Sequence, residues 1–168
     1  MQDQREEERI KEIYVMASQK YPKNPETEKN EKKLYEIIRK INGKILESGK
    51  NLCKSQYENL LQYASISIEG LDVKPNADER KMQESLEQFQ ICIEDENKEI
   101  IPRLQQIDND MFNLTEELNG CLDKTFVNSK EKSDSEIEKR MFDCLRKFED
   151  QNNNFSRKSF DSLNKFNI

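Results

Sequence analysis

The chain has 168 residues, of which 33% are apolar and 37% charged, with 28 basic and 34 acidic side chains and a net charge of −6. Ordinary globular domains are roughly 45–50% apolar, so this composition excludes a thick core, although it suffices for narrow seams between helices with charge on their outer faces. The interspersed charges form no basic stripe for nucleic acid, and no apolar run approaches the ~18 residues of a transmembrane span.

By length the chain is a single domain. Its first nine residues are polar and acidic and read as neither a signal peptide nor a transit peptide. The spacing of Ile10, Ile13, Tyr14, Ala17 and Tyr21 predicts a short amphipathic helix over 5–21. Pro22 and Pro25 interrupt backbone bonding there, and Asn24-Pro25 supplies an N-cap and a first helical residue for a second helix. The predicted organisation is therefore a short helix with a proline linker over 1–24 and a helical-bundle domain over 25–168.

That second helix is expected over 26–65, with Leu34, Ile38, Ile41, Ile45, Leu52, Leu60 and Ala64 on its buried face. Gly43 and Gly49 weaken it by about 1 kcal/mol each relative to Ala and suggest a bend or a close helix crossing. Residues 66–77 read as a loop, with Asn76 and Glu79 forming a capping box.

The third helix, over 77–126, carries the strongest signal. Met82, Leu86, Phe89, Ile93, Ile100, Leu104, Ile107, Met111, Leu114, Leu118 and Cys121 recur at steps of four and three, interrupted only at Glu96/Asn97. Such a stripe keeps one side of a helix aimed at a partner over some six heptads, and at ~1.5 Å per residue the helix would be roughly 70 Å long. Pro102 should kink it. A loop around Asn128 leads to a fourth helix over 133–165, opened by a Ser133/Glu136 capping box and carrying Ile137, Met141, Cys144, Leu145, Phe148, Phe155 and Leu163. Long helices joined by short loops return antiparallel to bury their stripes. The expected fold is all-α, an elongated antiparallel bundle of three long helices plus a short N-terminal one, with Phe148 among the seam residues.

Little in the sequence supports catalysis. There is no histidine, so the commonest general base and metal ligand is missing. Four scattered glycines cannot make a phosphate loop. Asp108-Asn109-Asp110 starts like a calcium loop, but Asn113 stands where Gly is needed and the run lies inside the heptad stripe. Neither an enzyme, a metal or organic cofactor, nor a small-molecule substrate is expected.

Cys53, Cys92, Cys121 and Cys144 form no CxxC, which disfavours zinc. Each occupies an inward helix position and reads first as a small, buried apolar side chain. Their placement carries a second meaning, because Cys53 and Cys92 flank one loop and Cys121 and Cys144 the next. Gln90-Ile91-Cys92-Ile93-Glu94, the Pro-containing amphipathic helix, Leu118-Asn119-Gly120-Cys121, Asp143-Cys144-Leu145-Arg146-Lys147 and Leu163-Asn164-Lys165 resemble the "family with sequence similarity 136" group. These are twin CX3C hairpin proteins of the mitochondrial intermembrane space, to which small inner-membrane translocase chaperones are more distantly similar. The resemblance spans about 45–165.

In every unit the second cysteine of that pattern is replaced, by Tyr57, Glu96, Thr125 and Phe148. The family's pairing of first with last and inner with inner cysteine would set Cys121 against Phe148 and Thr125 against Cys144. Joining Cys121 to Cys144 would need a four-residue shift of that register, about 6 Å along a helix. All four cysteines are therefore expected to be free and buried, with Phe148 filling the volume of a lost crosslink.

The resemblance implies a non-catalytic accessory subunit of a respiratory-type inner-membrane assembly, on its intermembrane-space side, with protein subunits as partners. The alternatives are a coiled-coil cytoskeletal or axonemal component of the cytoplasm and a holdase-like chaperone.

Overall fold

A computed structural model of the chain describes residues 2–21, 24–63 and 78–166. Among the described residues there are six α-helices and no strand: α1 (Gln2–Lys20), α2 (Pro25–Leu52), α3 (Lys54–Tyr63), α4 (Glu79–Glu96), α5 (Ile100–Phe126) and α6 (Asp134–Asn164), with one 3₁₀ turn at Ser129–Glu131. The fold is an all-α helical bundle. The chain divides into two compact units, one of Met1–Glu36 with Gln106–Lys165 and the other of Ile37–Gln105 with Phe166–Ile168. This differs from the division suggested by the proline linker, because α1 belongs with the C-terminal half.

In the first unit α6 is the spine. Ile137, Met141, Cys144, Asn152, Ser156, Ser159 and Leu163 are buried along one side, on the four-and-three steps that keep a helix face turned inward. Over its first turns this face is apolar. Ile137 and Met141 form the core with Ile13 and Ala17 of α1, and Ile10, Leu122, Phe126 and Phe142 pack around them. Further along, the face is polar: Asn152 Nδ2 donates to Glu31 and Ser156 Oγ to Asn152 Oδ1. Next to them Asn30 Nδ2 donates to Asn153 Oδ1 at 2.6 Å. A hydrophobicity pattern cannot register Asn152, Ser156 and Ser159 as core, and Phe155, predicted inward, is only half-buried. Asp3 pairs with Lys130, Arg9 with Asp134 and Lys20 with Glu138, and Asn24 bonds Glu149. The rising numbers on both sides mean that α1 and the start of α2 succeed one another along α6 in its own direction.

The local signals at helix starts hold with one change. Asn24 Oδ1 accepts from Glu26 N at 3.0 Å, and Ser133 Oγ accepts from Glu136 N at 3.2 Å. The cap of α4 is Asp78, whose carboxylate accepts from Lys81 N; Asn76, the loop over 66–77 and Ala64 lie outside the described residues.

In the second unit the end of α2 and α3 run antiparallel to α4. The Tyr57 and Phe89 rings pack at a tilt with centres 5.5 Å apart, and Lys81 lies 5.3 Å from the centre of the Tyr63 ring. Gly49 is buried where these helices meet, and a Cβ there would stand 3.0 Å from two carbons of Ile93. Gly43 is exposed, with nothing within 4 Å of such a Cβ. Of the two glycines only Gly49 marks a close crossing. Gly43→Ala is expected to stabilise the protein by about 1 kcal/mol through helix propensity alone. Gly49→Ala is expected to destabilise it by about 1 kcal/mol net, because Ile93 is stiff at χ1 and sits beside a tethered cysteine. Urea unfolding of the two variants checks the opposite signs.

The single 77–126 helix is corrected. It is two helices, parted by a turn over 97–99 at the one gap in the heptad series. Asn97 ends α4, its Nδ2 donating to Ile93 O at 2.8 Å. Pro102 is the third residue of α5, where a missing N–H costs no intrahelical bond, so it marks a helix start and not a kink. The predicted 26–65 helix is likewise interrupted at Cys53, although the i→i−4 bonds of Cys53 N to Gly49 O and of Tyr57 N to Cys53 O persist. Of the predicted seam, Phe89, Ile100 and Ile107 are buried, while Ile93, Leu104, Met111, Leu114, Leu118 and Phe148 are half-buried. Leu86 is exposed at 38% and leaves the seam.

Candidate functional site

The chemistry-bearing residues of this chain are its cysteines, and the structure places them differently from the sequence expectation. Cys53 is bonded to Cys92 and Cys121 to Cys144, with Cα separations of 6.1 and 5.8 Å, and no cysteine is free. The prediction that Cys53, Cys92, Cys121 and Cys144 are free thiols is thus overturned. Each bond closes one helix pair inside one unit.

The physical reason is register. The expectation carried over the cysteine pairing of a symmetric CX3C hairpin, whereas this hairpin is asymmetric. Only five residues of α5 follow Cys121, while ten of α6 precede Cys144. Seven residues, with the 3₁₀ turn at Ser129–Glu131 among them, stand between the two helices. Asn128 takes the left-handed conformation, φ 56°, which asparagine tolerates better than most residues. Cys121 and Cys144 consequently stand symmetrically about Lys132-Ser133 and meet.

The segments around the loop hold that register. Lys132 Nζ donates to Thr125 O at 3.3 Å and Val127 O at 2.7 Å, serving the open carbonyls at the end of α5. Thr125, in the place of the family's second cysteine, is buried, donates to Cys121 O and lies 3.7 Å from Cys144 Sγ. Phe148 lines a small hollow together with Cys121 and Cys144, so it packs beside the crosslink and does not replace it. From α1, Arg9 Nη2 donates to Lys132 O at 2.9 Å and Nη1 to Ser129 O at 3.3 Å, while its Nε bonds Asp134. Ser129 Oγ donates to Glu6 at 2.7 Å. The N-terminal helix thereby pins the turn that sets the disulfide register. Nothing in the sequence pattern singles out Arg9 for this role.

At the other end of α1, the Tyr21 ring lies 5.9 Å from that of Phe142. Burial first, then a hydrogen bond to Glu149, pushes its phenol up from the ordinary value of 10 to about 12. The protonated phenol is therefore favoured by folding: its contribution to stability is complete below pH 10 and is lost as pH rises from 10 to about 12. Ultraviolet titration is expected to show a late-ionising phenol, and Tyr21→Phe should remove that phase.

Beyond these groups the described residues offer contact surface. Tyr14, Val15 and Met16 leave α1 with an exposed apolar stretch opposite its buried face, and Leu52 and Ile91 are exposed next to the Cys53–Cys92 bond. No group of three or more His, Cys, Asp or Glu among the described residues is arranged to hold a metal ion, and no described helix is long and apolar enough to cross a membrane. No protein-family model, curated protein or solved structure matches this chain.

Proposed function

We propose that this protein is a non-catalytic, disulfide-stapled helical subunit that works through contact with other proteins in an oxidising compartment. The observation that carries the reading is that all four cysteines are consumed in two crosslinks, each closing a helix pair. Such bonds persist where thiols are not kept reduced. This weighs against the cytoskeletal alternative, whose compartment is reducing. Among oxidising compartments, the mitochondrial intermembrane space is favoured by the cysteine-bearing hairpin stretches that resemble the twin CX3C proteins. The specific proposal is an accessory subunit on the intermembrane-space side of an inner-membrane assembly. A chain with narrow seams and apolar side chains left at its surface gains from a partner's cover, because whatever binds only the folded state stabilises it.

Fractionation followed by affinity purification and mass spectrometry tests this. The protein is expected in mitochondria, oxidised, protected from protease until the outer membrane is opened, and co-purifying with a large complex. A reduced cytosolic pool, or an oxidised protein in mitochondria that sediments alone, overturns it.

A further inference from the structure

Of the side chains described in α1, Ile13 and Ala17 are the two that are buried. Their seat is made jointly by two other helices: Leu122 and Phe126 from the end of α5, and Ile137, Met141 and Phe142 from the start of α6. Cys121 directly precedes Leu122 and Cys144 stands one helical turn after Met141, so the Cys121–Cys144 bond ties the same two helix ends. The turn between them is held from α1 as well, by Arg9 on Lys132 O and Ser129 O and by Glu6 on the Ser129 hydroxyl. One crosslink and one docked helix therefore fix a single offset.

Two restraints on one geometry are coupled. With the bond closed, both halves of the seat are already aligned and α1 docks without having to order them. With it open, α1 must supply that ordering, and it has little burial to set against the cost. Its ion pairs Asp3–Lys130 and Lys20–Glu138 are exposed, and such pairs contribute little. A polar helix of 19 residues is marginal by itself. The coupling runs both ways: a docked α1 keeps the two sulfurs together and favours the bond by the same factor.

The bond is also placed for exchange. Cys121 is half-buried whereas Cys144 is 4% exposed, and both line a hollow of about 20 Å³ beside Lys147 and Phe148. Access decides which sulfur of a disulfide is attacked, so an incoming thiolate meets Cys121 Sγ. Attack there by one arm of a dithiol forms a mixed disulfide and breaks the protein's S–S bond, the electron pair leaving on Cys144 Sγ, which takes up a proton. The second thiolate of the dithiol then attacks its own sulfur in the mixed disulfide. Cys121 leaves as a thiol and the dithiol becomes a disulfide, two electrons and two protons having passed to the protein. The buried Cys144 thiol has an acceptor already in place, Thr125 Oγ1 at 3.7 Å.

We propose that Cys121–Cys144 is a redox switch for α1: reduction by a dithiol frees the N-terminal helix, and reoxidation seats it again. The proposal goes beyond the contact-subunit reading and does not rest on it. Cys53–Cys92 closes a helix pair in the other unit and serves as the internal reference.

The test equilibrates the oxidised full chain against graded mixtures of reduced and oxidised dithiothreitol. Alkylation and mass spectrometry read each cysteine, and amide hydrogen exchange is followed on the same samples. Exchange in α1 is expected to rise in step with the opening of Cys121–Cys144 and not with that of Cys53–Cys92. Arg9→Gln should make Cys121–Cys144 about fivefold easier to reduce, the low end of the usual range for coupled sites, with Cys53–Cys92 unmoved. Ile13→Ala, which loosens α1 without touching a charge or the turn, should shift the same bond in the same direction. Cys121→Ser/Cys144→Ser should show fast exchange in α1 with no reductant present; were that variant not to fold, the wild-type titration still decides. Protection in α1 that survives the opening of Cys121–Cys144 overturns the proposal. So does an Arg9→Gln or Ile13→Ala protein in which both bonds shift equally or neither shifts.

Discussion

Denatured without reductant, the protein is expected to titrate no free thiol and to run faster on a gel than its reduced form, which should show four. The energetic counterpart is large. Crosslinks spanning 39 and 23 residues of sequence remove unfolded-state freedom worth about 3–4 kcal/mol each in the chain-entropy account. Small folded proteins have a total stability of about 5–15 kcal/mol, so either bond supplies a substantial share. The double replacements Cys53→Ser/Cys92→Ser and Cys121→Ser/Cys144→Ser should each lower unfolding stability by about 3 kcal/mol, read from urea midpoints. Removing both partners avoids the reactive lone thiol that a single replacement would leave. Four titratable thiols in the unreduced protein would remove the crosslinks from the account, and with them the argument for an oxidising compartment.

Ile137→Ala should produce the largest effect of any apolar truncation in the first unit. Ile137 is wholly buried and belongs to the cluster where α6 meets Ile13 and Ala17 of α1. Losing three carbons there leaves a cavity that helices fixed by neighbouring contacts fill only in part, which costs about 2–5 kcal/mol, whereas Ile137→Val should cost about 0.5–1.5. Because the same cluster seats α1, the alanine variant should also expose the first twenty residues to protease before the rest. Phe112, 63% exposed on α5, is the contrast: its truncation should change stability by no more than about 0.5 kcal/mol. Equal losses at Ile137 and Phe112 would mean that the described core is not where the unit is held together.

The difference between these two residues shows what periodicity can reveal. Both belong to strongly patterned helices. Ile137 starts a run that continues through Met141 and Cys144 in step with the helix turn, and the face was legible as far as Phe148. From Asn152 to Ser159 the face continues in small polar residues, of which Asn152 and Ser156 are buried with hydrogen-bond partners. Hydrophobicity alone loses the helix face there. The gap at Glu96/Asn97 was visible in the sequence, but its meaning as a helix break required seeing Asn97 turn back onto Ile93 and Pro102 fall in a first turn.

Helical content and the caps at Asn24 and Ser133 are local properties, set by side-chain period and by residues that satisfy their own backbone. For that reason the sequence by itself determined them, whereas of the four cysteines expected to be buried only Cys53 and Cys144 are, Cys92 and Cys121 being half-buried. The pairing of the cysteines and the docking of α1 depend on how far one helix slides along another. That offset is set by the 3₁₀ turn between α5 and α6, by Arg9 reaching across 123 residues to Lys132 O and by a glycine with no side chain to keep α4 away. These contacts join residues remote in sequence, so only the tertiary structure decided them.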